Sequence, residues 1–141
     1  MTGIRIDGKI IAQTVKDRVK KAASELKTQG VNPCLATVLI GNNPASATYV
    51  KNKHKACEEV GIITKDHKLD ESVTQQELNR IIDELNADVS VHGILVQLPL
   101  PKHLNEFATT SRISPIKDVD GLTPHNAGLL AMKKAALVAC T

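Results

Sequence analysis

Four side chains in this sequence have types and spacings that could do chemistry: a tyrosine, a lysine, a glutamine and an aspartate. Lys53 lies in the stretch Gly41-Asn-Asn-Pro-Ala-Ser-Ala-Thr-Tyr-Val-Lys-Asn-Lys53, one helical turn after Tyr49. At roughly 100° per residue, Tyr49, Lys53, Ala56, Cys57 and Val60 share one side of a helix, and Lys51, His54 and Lys55 the other. Lys53 is then the one basic residue of the four that faces the body of the protein. An ammonium placed there either snorkels to the edge of the apolar stripe or serves proton transfer, because burying it unpaired is costly. Desolvation and neighbouring charges are what bring a lysine into acid–base range. Gln97 ends an apolar run, and its carboxamide must find partners, on a ligand or along a sheet rim. Asp120, in Lys117-Asp-Val-Asp-Gly121, either accepts two hydrogen bonds from an amino-substituted heterocycle or closes a turn. Tyr49 either stacks on a flat ligand or packs.

These residues need elements to carry them. Ile4 to Ile10, with a turn at Asp7-Gly8, reads as a short extended entry. Ile11, Val15, Val19, Ala22 and Leu26 then repeat at helical steps up to about Thr28, with Gly30 as a stop. Leu35 to Ile40 is a compact apolar run, the mark of a strand covered on both faces. The Lys53 helix follows, with Pro44 and Ser46 suited to its first turn and Gly61 at its end. Ile62 to Leu69 suits a strand with one exposed face. Thr74 and Glu77 form a capping box for a helix to about Ala87, its apolar side made of Leu78, Ile81, Ile82 and Leu85. Val91 to Pro101 is a second buried strand, broken by its prolines. The chain is then irregular through Ser114 to Gly121, and Asn126 to Ala131 forms a short helix. This alternation predicts an α/β domain with a largely parallel sheet and right-handed crossovers. In such sheets ligands bind beyond the carboxyl ends of the strands, where Gly41-Asn-Asn-Pro and Gln97-Leu-Pro-Leu-Pro should share one rim.

Composition narrows the partners. A chain of 141 residues suffices for one domain with a real core. The net charge of +3 is spread over helices, and Tyr49 and Phe107 are the sole aromatics, which argues against a stacking platform for nucleic acid. No apolar run reaches membrane-spanning length, and no signal-peptide core precedes the first helix. Cys34, Cys57 and Cys140 are too widely spaced for a CxxC and read as reduced thiols of a cytoplasmic protein. The five histidines form no HxxxH or HExxH pair, so no metal site is expected. GxGxxG, Walker A and GxSxG patterns are absent.

Three segments together resemble a known family. Tyr49-Val-Lys-Asn-Lys-His-Lys-Ala-Cys-Glu-Glu-Val-Gly61, Gly93-Ile-Leu-Val-Gln-Leu-Pro-Leu-Pro101 and Lys117-Asp-Val-Asp-Gly-Leu-Thr-Pro-His-Asn-Ala-Gly128 resemble methylenetetrahydrofolate dehydrogenase/methenyltetrahydrofolate cyclohydrolase. The resemblance covers essentially the whole chain, residues 1–141, and only the family's N-terminal, folate-binding catalytic domain. It implies a three-layer α/β/α fold, oxidation of 5,10-methylenetetrahydrofolate with NADP, and hydrolysis of the methenyl product to 10-formyltetrahydrofolate. It implies that Lys53 is the catalytic lysine, that Gln97 bonds and tunes it, and that Asp120 holds the pterin. Tyr49 would lie along the folate, with Ser46, Leu98 and Pro99 lining the same pocket. The family's Rossmann-type NADP domain, through which it usually dimerises, follows a Pro-Cys-Thr-Pro segment. Ala139-Cys-Thr141 resembles the start of that segment, so residues from about 132 onward are expected to lead into the linker and the cofactor domain to be absent from this chain. Leu129 stands where the family usually has Arg or Lys. The alternative function is a folate-holding homologue that turns nothing over.

Overall fold

The computed structural model describes residues 7–139. Three strands, β1 (Cys34–Ile40), β2 (Ile63–Leu69) and β3 (Gly93–Val96), form one parallel sheet in the order β2-β1-β3. Each strand-to-strand connection carries a helix: α2 (Pro44–Val60) between β1 and β2, and α3 (Gln75–Ala87) between β2 and β3. Helix α1 (Gly8–Thr28) precedes the sheet, while α4 (Glu106–Arg112) and α5 (Pro124–Ala131) follow it. The expected α/β class and parallel sheet are therefore present, with helices on both faces.

The central strand divides the layers by its alternation. Cys34, Ala36, Val38 and Ile40 join Ile94 and Val96 of β3 in one core, closed by Leu78, Ile81, Ile82 and Leu85 of α3 and by Leu104 and Ile113. Thr37, on the opposite face, meets α2. Strand β2 pairs with β1 alone among the described residues, and its outward positions include Asp66 and Lys68.

Local signals set the helix ends. The Asn43 carboxamide accepts from the Ala45 and Ser46 amides at 2.9 and 3.1 Å, Pro44 occupies the first turn, and Gly61 closes α2 at φ 81°. Thr74 caps α3 through the Glu77 amide at 3.2 Å, as the capping-box spacing predicts. A lysine from far along the chain completes the other end of α3: Lys117 Nζ donates to the carbonyls of Leu85, Asn86 and Asp88 at 3.0, 2.8 and 2.8 Å.

Four expectations need correction. Asp7 and Gly8 do not form a turn in an extended entry: the Asp7 carboxylate takes the Lys9 amide at 2.9 Å and starts α1 at Gly8 (Ile4 to Ile6 lie outside the described residues). The apolar stripe of α1 stays largely open, with Ile11, Val15 and Leu26 exposed and Ala23 buried, because α1 packs against α2 on the outside of its layer. The ladder of β3 is only four residues long and gives way to a cis Leu98–Pro99 bond. Glu106–Arg112 is helical where irregular chain was expected, since the Asn105 side chain caps it at the Ala108 amide and Arg112 pairs doubly with Asp83 at 2.7 Å.

Candidate functional site

The carboxyl ends of β1 and β3 carry the rim. Gly41, at φ 74°, turns the chain out of β1 into α2, while Gln97 continues from β3 and donates its amide to the Val38 carbonyl at 2.9 Å. Here Lys53 of α2 comes over the sheet. Its Nζ lies 3.4 Å from Gln97 Oε1, a long contact, while Gln97 Nε2 donates to the Leu98 carbonyl at 2.7 Å. The carboxamide is thereby oriented with its oxygen toward the ammonium.

Asp120 enters from the other side. Residue 118 bridges Ile94 in parallel sense, and the Ile94 amide donates to the Lys117 carbonyl at 2.7 Å, so the segment runs beside β3 as a short extra strand. Two residues beyond this bridge, Asp120 is half-buried within electrostatic reach of Lys53. Burial pushes its carboxyl above the ordinary value; Lys53 pulls it down and Asp118 adds to the rise. Close approach of this segment depends on Gly93, where a Cβ would fall 2.5 Å from the Val119 side chain.

Lys53, Gln97 and Asp120 thus converge; the remaining candidates are distributed differently. Tyr49 is 63% exposed and stands free at the mouth, one turn from Lys53. Ser46 is buried in the first turn of α2. Leu98 packs against the α3-side core, and Pro99 lines a cleft of about 400 Å³ with Gly41, Asn42, Asn43 and Glu71.

The helical wheel misplaced two side chains. Tyr49 points outward rather than into the core, and His54 points inward, with its side chain only 24% exposed. Its Nε2 sits 2.7 Å from Asp66 Oδ1 and 3.1 Å from the Thr37 hydroxyl, which itself donates to Asp66 at 2.7 Å. The buried stripe of α2 is Ser46, Val50 and Val60, a rotation that brings residue 54 over the sheet and leaves Lys53 at the edge toward β3.

Sequence reasoning also missed the polar centre behind Asp120. Asp118 is 1% exposed and accepts from the Leu122 amide at 3.2 Å, the Thr123 amide at 2.8 Å and Asn126 Nδ2 at 2.9 Å. Burial alone would raise its carboxyl; the bonds from Asn126, Thr123 and Leu122 outweigh it and hold it below the ordinary value. Asn126 donates as well to the Pro115 carbonyl at 3.0 Å. The signal was present in Asp118-Val-Asp120, whose two-residue spacing puts both carboxylates on one side of an extended segment.

No helix start among the described residues fits a dinucleotide pyrophosphate. The free amides of α2 are taken by Asn43, Pro44 has none, and α1, α3, α4 and α5 are capped by Asp7, Thr74, Asn105 and Thr123. Those residues also contain no cluster of three metal-ligating side chains, and no helix among them is long and apolar enough to cross a membrane.

A parallel sheet with an amine, a carboxamide and a carboxylate gathered over its strand ends defines a class: a ligand-handling three-layer α/β domain. Residues 6–120 match the tetrahydrofolate dehydrogenase/cyclohydrolase catalytic domain, and the chain belongs to that family. It is 80% identical over 141 residues to the bifunctional protein FolD of Nitrosopumilus maritimus, covering all of this chain and 49% of that protein. It is 60% identical over 136 residues to FolD of Cenarchaeum symbiosum, covering 96% and 48% of the two chains. Among solved structures, the FolD methylenetetrahydrofolate dehydrogenase/cyclohydrolase of Campylobacter jejuni superposes with TM-score 0.93 at 47% identity, over 95% of this chain and 48% of that one. The Trypanosoma brucei enzyme, solved with NADP and an inhibitor, superposes at 0.87 with 35% identity, over 94% and 46%. The chain spans about half the length of the relatives it matches.

Proposed function

We propose that this chain supplies the folate-binding wall and the acid–base lysine of a one-carbon folate enzyme. That enzyme oxidises 5,10-methylenetetrahydrofolate with NADP and hydrolyses 5,10-methenyltetrahydrofolate to 10-formyltetrahydrofolate. The observation that carries this reading is the convergence of Lys53, Gln97 and Asp120 on one strand-end rim, in a chain of this family.

In the hydrolytic step water adds to the methenyl carbon, which lies between N5 and N10. Lys53 takes a proton from the added water and returns one to N5. The carbon–N5 bond then breaks as the carbinol hydroxyl gives up its remaining proton to solvent, and the formyl group stays on N10. Gln97 holds the amine in place through its oxygen, and Asp120 accepts hydrogen bonds from the amino-substituted pterin edge. Tyr49, beside Lys53, offers an exposed ring to the flat ligand. NADP would supply hydride acceptance in the oxidative step, but the described residues do not fit it, so that activity belongs to a larger assembly with folate as the partner held here.

The test follows loss of methenyltetrahydrofolate absorbance with this chain beside Lys53→Ala and Lys53→Arg. Turnover that disappears in both variants while folate still binds supports the assignment; turnover unchanged in Lys53→Ala ends it. A second reading, a wall that holds folate but turns nothing over alone, is favoured by the exposure of Tyr49 at the mouth. It predicts folate binding without turnover even in the unaltered chain.

A further inference from the structure

The rim has a second carboxylate. Asp118 is buried, yet among the described residues it has no cationic partner: its hydrogen-bond donors, among them the Leu122 and Thr123 amides and the Asn126 carboxamide, are neutral. Removing a carboxylate from water is costly, and a turn can be closed by a neutral asparagine or serine at much lower cost. The environment nevertheless keeps Asp118 ionised, since its carboxyl is held below the ordinary range. Its backbone is fixed on both sides, by the bridge to Ile94 in β3 and by the Thr123 and Leu122 amides that fold back onto its own side chain. One residue earlier, Lys117 is pinned to the end of α3. Asp120 therefore projects from a segment with almost no freedom.

We infer that Asp118 is a positioning residue for the Lys53 site: its buried carboxylate fixes Asp120 at the lysine and places a second, permanent negative charge behind it. The charged groups facing Asp120 are then Lys53 from α2 and Asp118 from its own segment. Burial does most to raise the affinity of Asp120 for a proton; Lys53 draws it down and Asp118 drives it further up. Asp120 thus keeps strong acceptor character toward an N–H-bearing ligand edge, where a fully lysine-paired carboxylate would be partly neutralised.

The test needs no ligand. Side-chain carboxyl titrations by ¹³C NMR are recorded for the unaltered chain, Asp118→Asn and Asn126→Ala. Both substitutions loosen the same loop; only the first removes the charge. The expected result is that the Asp120 midpoint falls by about 0.5 pH unit or more in Asp118→Asn and stays raised in Asn126→Ala. Equal shifts in both variants would reduce Asp118 to a structural tie, and no shift in either would overturn the inference. Should Asp118→Asn fail to fold, Asp120→Asn reads the same coupling from the half-exposed side, because coupling between two titrating groups is reciprocal. The Asp118 midpoint then falls if the charges interact and is unmoved if they do not. The consequence for substrate rests on the proposed folate site: Asp118→Asn should raise KM for methenyltetrahydrofolate about tenfold with a smaller change in kcat. If folate does not bind the unaltered chain, that reading fails, and the carboxyl titrations still decide the role of Asp118.

Discussion

Helix α2 and the segment 117–126 hold the two halves of the site by opposite means. Helix α2 is regular, capped at both ends and seated by an apolar stripe, and it delivers Lys53 at the edge of that seat. The segment 117–126 has little regular structure before α5 begins at Pro124, and it delivers Asp120 through buried polar bonds from Asp118, Asn126 and Lys117. A helix tolerates loss of one contact because its backbone bonds remain; the segment has few backbone bonds, the Ile94–Lys117 bond among them, and leans on its side chains. The lysine side is therefore mechanically robust, whereas the aspartate side depends on a few buried polar bonds.

The contrast can be broken most severely at Lys53. Lys53→Ala should lower methenyltetrahydrofolate hydrolysis by about 10²- to 10⁴-fold, the range for loss of a positioned acid–base group, with an unchanged urea midpoint. Asp118→Ala should act first on stability. It leaves the buried Thr123 amide and Asn126 carboxamide, and the part-buried Leu122 amide, without this acceptor and should cost about 3 kcal/mol in urea unfolding. His54→Ala, which removes the polar tie of α2 to Thr37 and Asp66, should cost only about 1 kcal/mol, since Val50 and Val60 still seat the helix.

Acid titration sharpens the same comparison. The depressed Asp118 carboxyl contributes stability that is fully present above the ordinary aspartate value and is lost as pH falls through its lower folded value. Asp120, raised in the fold, has the opposite sign: its ionisation opposes folding, so its term becomes more favourable as pH falls through its folded value. Asp120→Asn should therefore stabilise the chain near pH 7, by about a few tenths of a kcal/mol because solvent screens a half-exposed group. Unfolding curves at pH 7 and pH 4 should show that gain shrinking as the native Asp120 becomes protonated.

The difference also explains what was legible beforehand. Periodicity and caps located α2 and α3, because Asn43, Pro44, Gly61 and Thr74 act within a few residues of the ends they define. The rotation of α2 was not legible, because His54 faces inward for the sake of Thr37 and Asp66, which are 17 and 12 positions away. For Asp118 the motif was visible, but its partners Thr123 and Asn126 become meaningful only once the turn folds back. Gly121 permits that turn at φ 68°, and a Cβ there would stand 2.7 Å from the Leu137 carbonyl. The helix α4 was missed for a local reason: its seven residues include two threonines and a serine, poor helix formers held by a cap and the Arg112–Asp83 pair.

Among the described residues one side of β2 has no partner strand, and that has a consequence of another kind. An unpaired strand edge exposes a row of main-chain donors and acceptors that can recruit a strand from a neighbouring molecule and begin aggregation. Here that edge reads Thr64-Lys-Asp-His-Lys68, with Lys65 engaged by Asp88 and Ser90 at 2.7 and 2.8 Å. An incoming strand would have to strip water from Asp66 and Lys68 and displace those bonds. The charges along β2 thus act as gatekeepers, protecting the sheet from self-association at the edge farthest from the Asp120 segment.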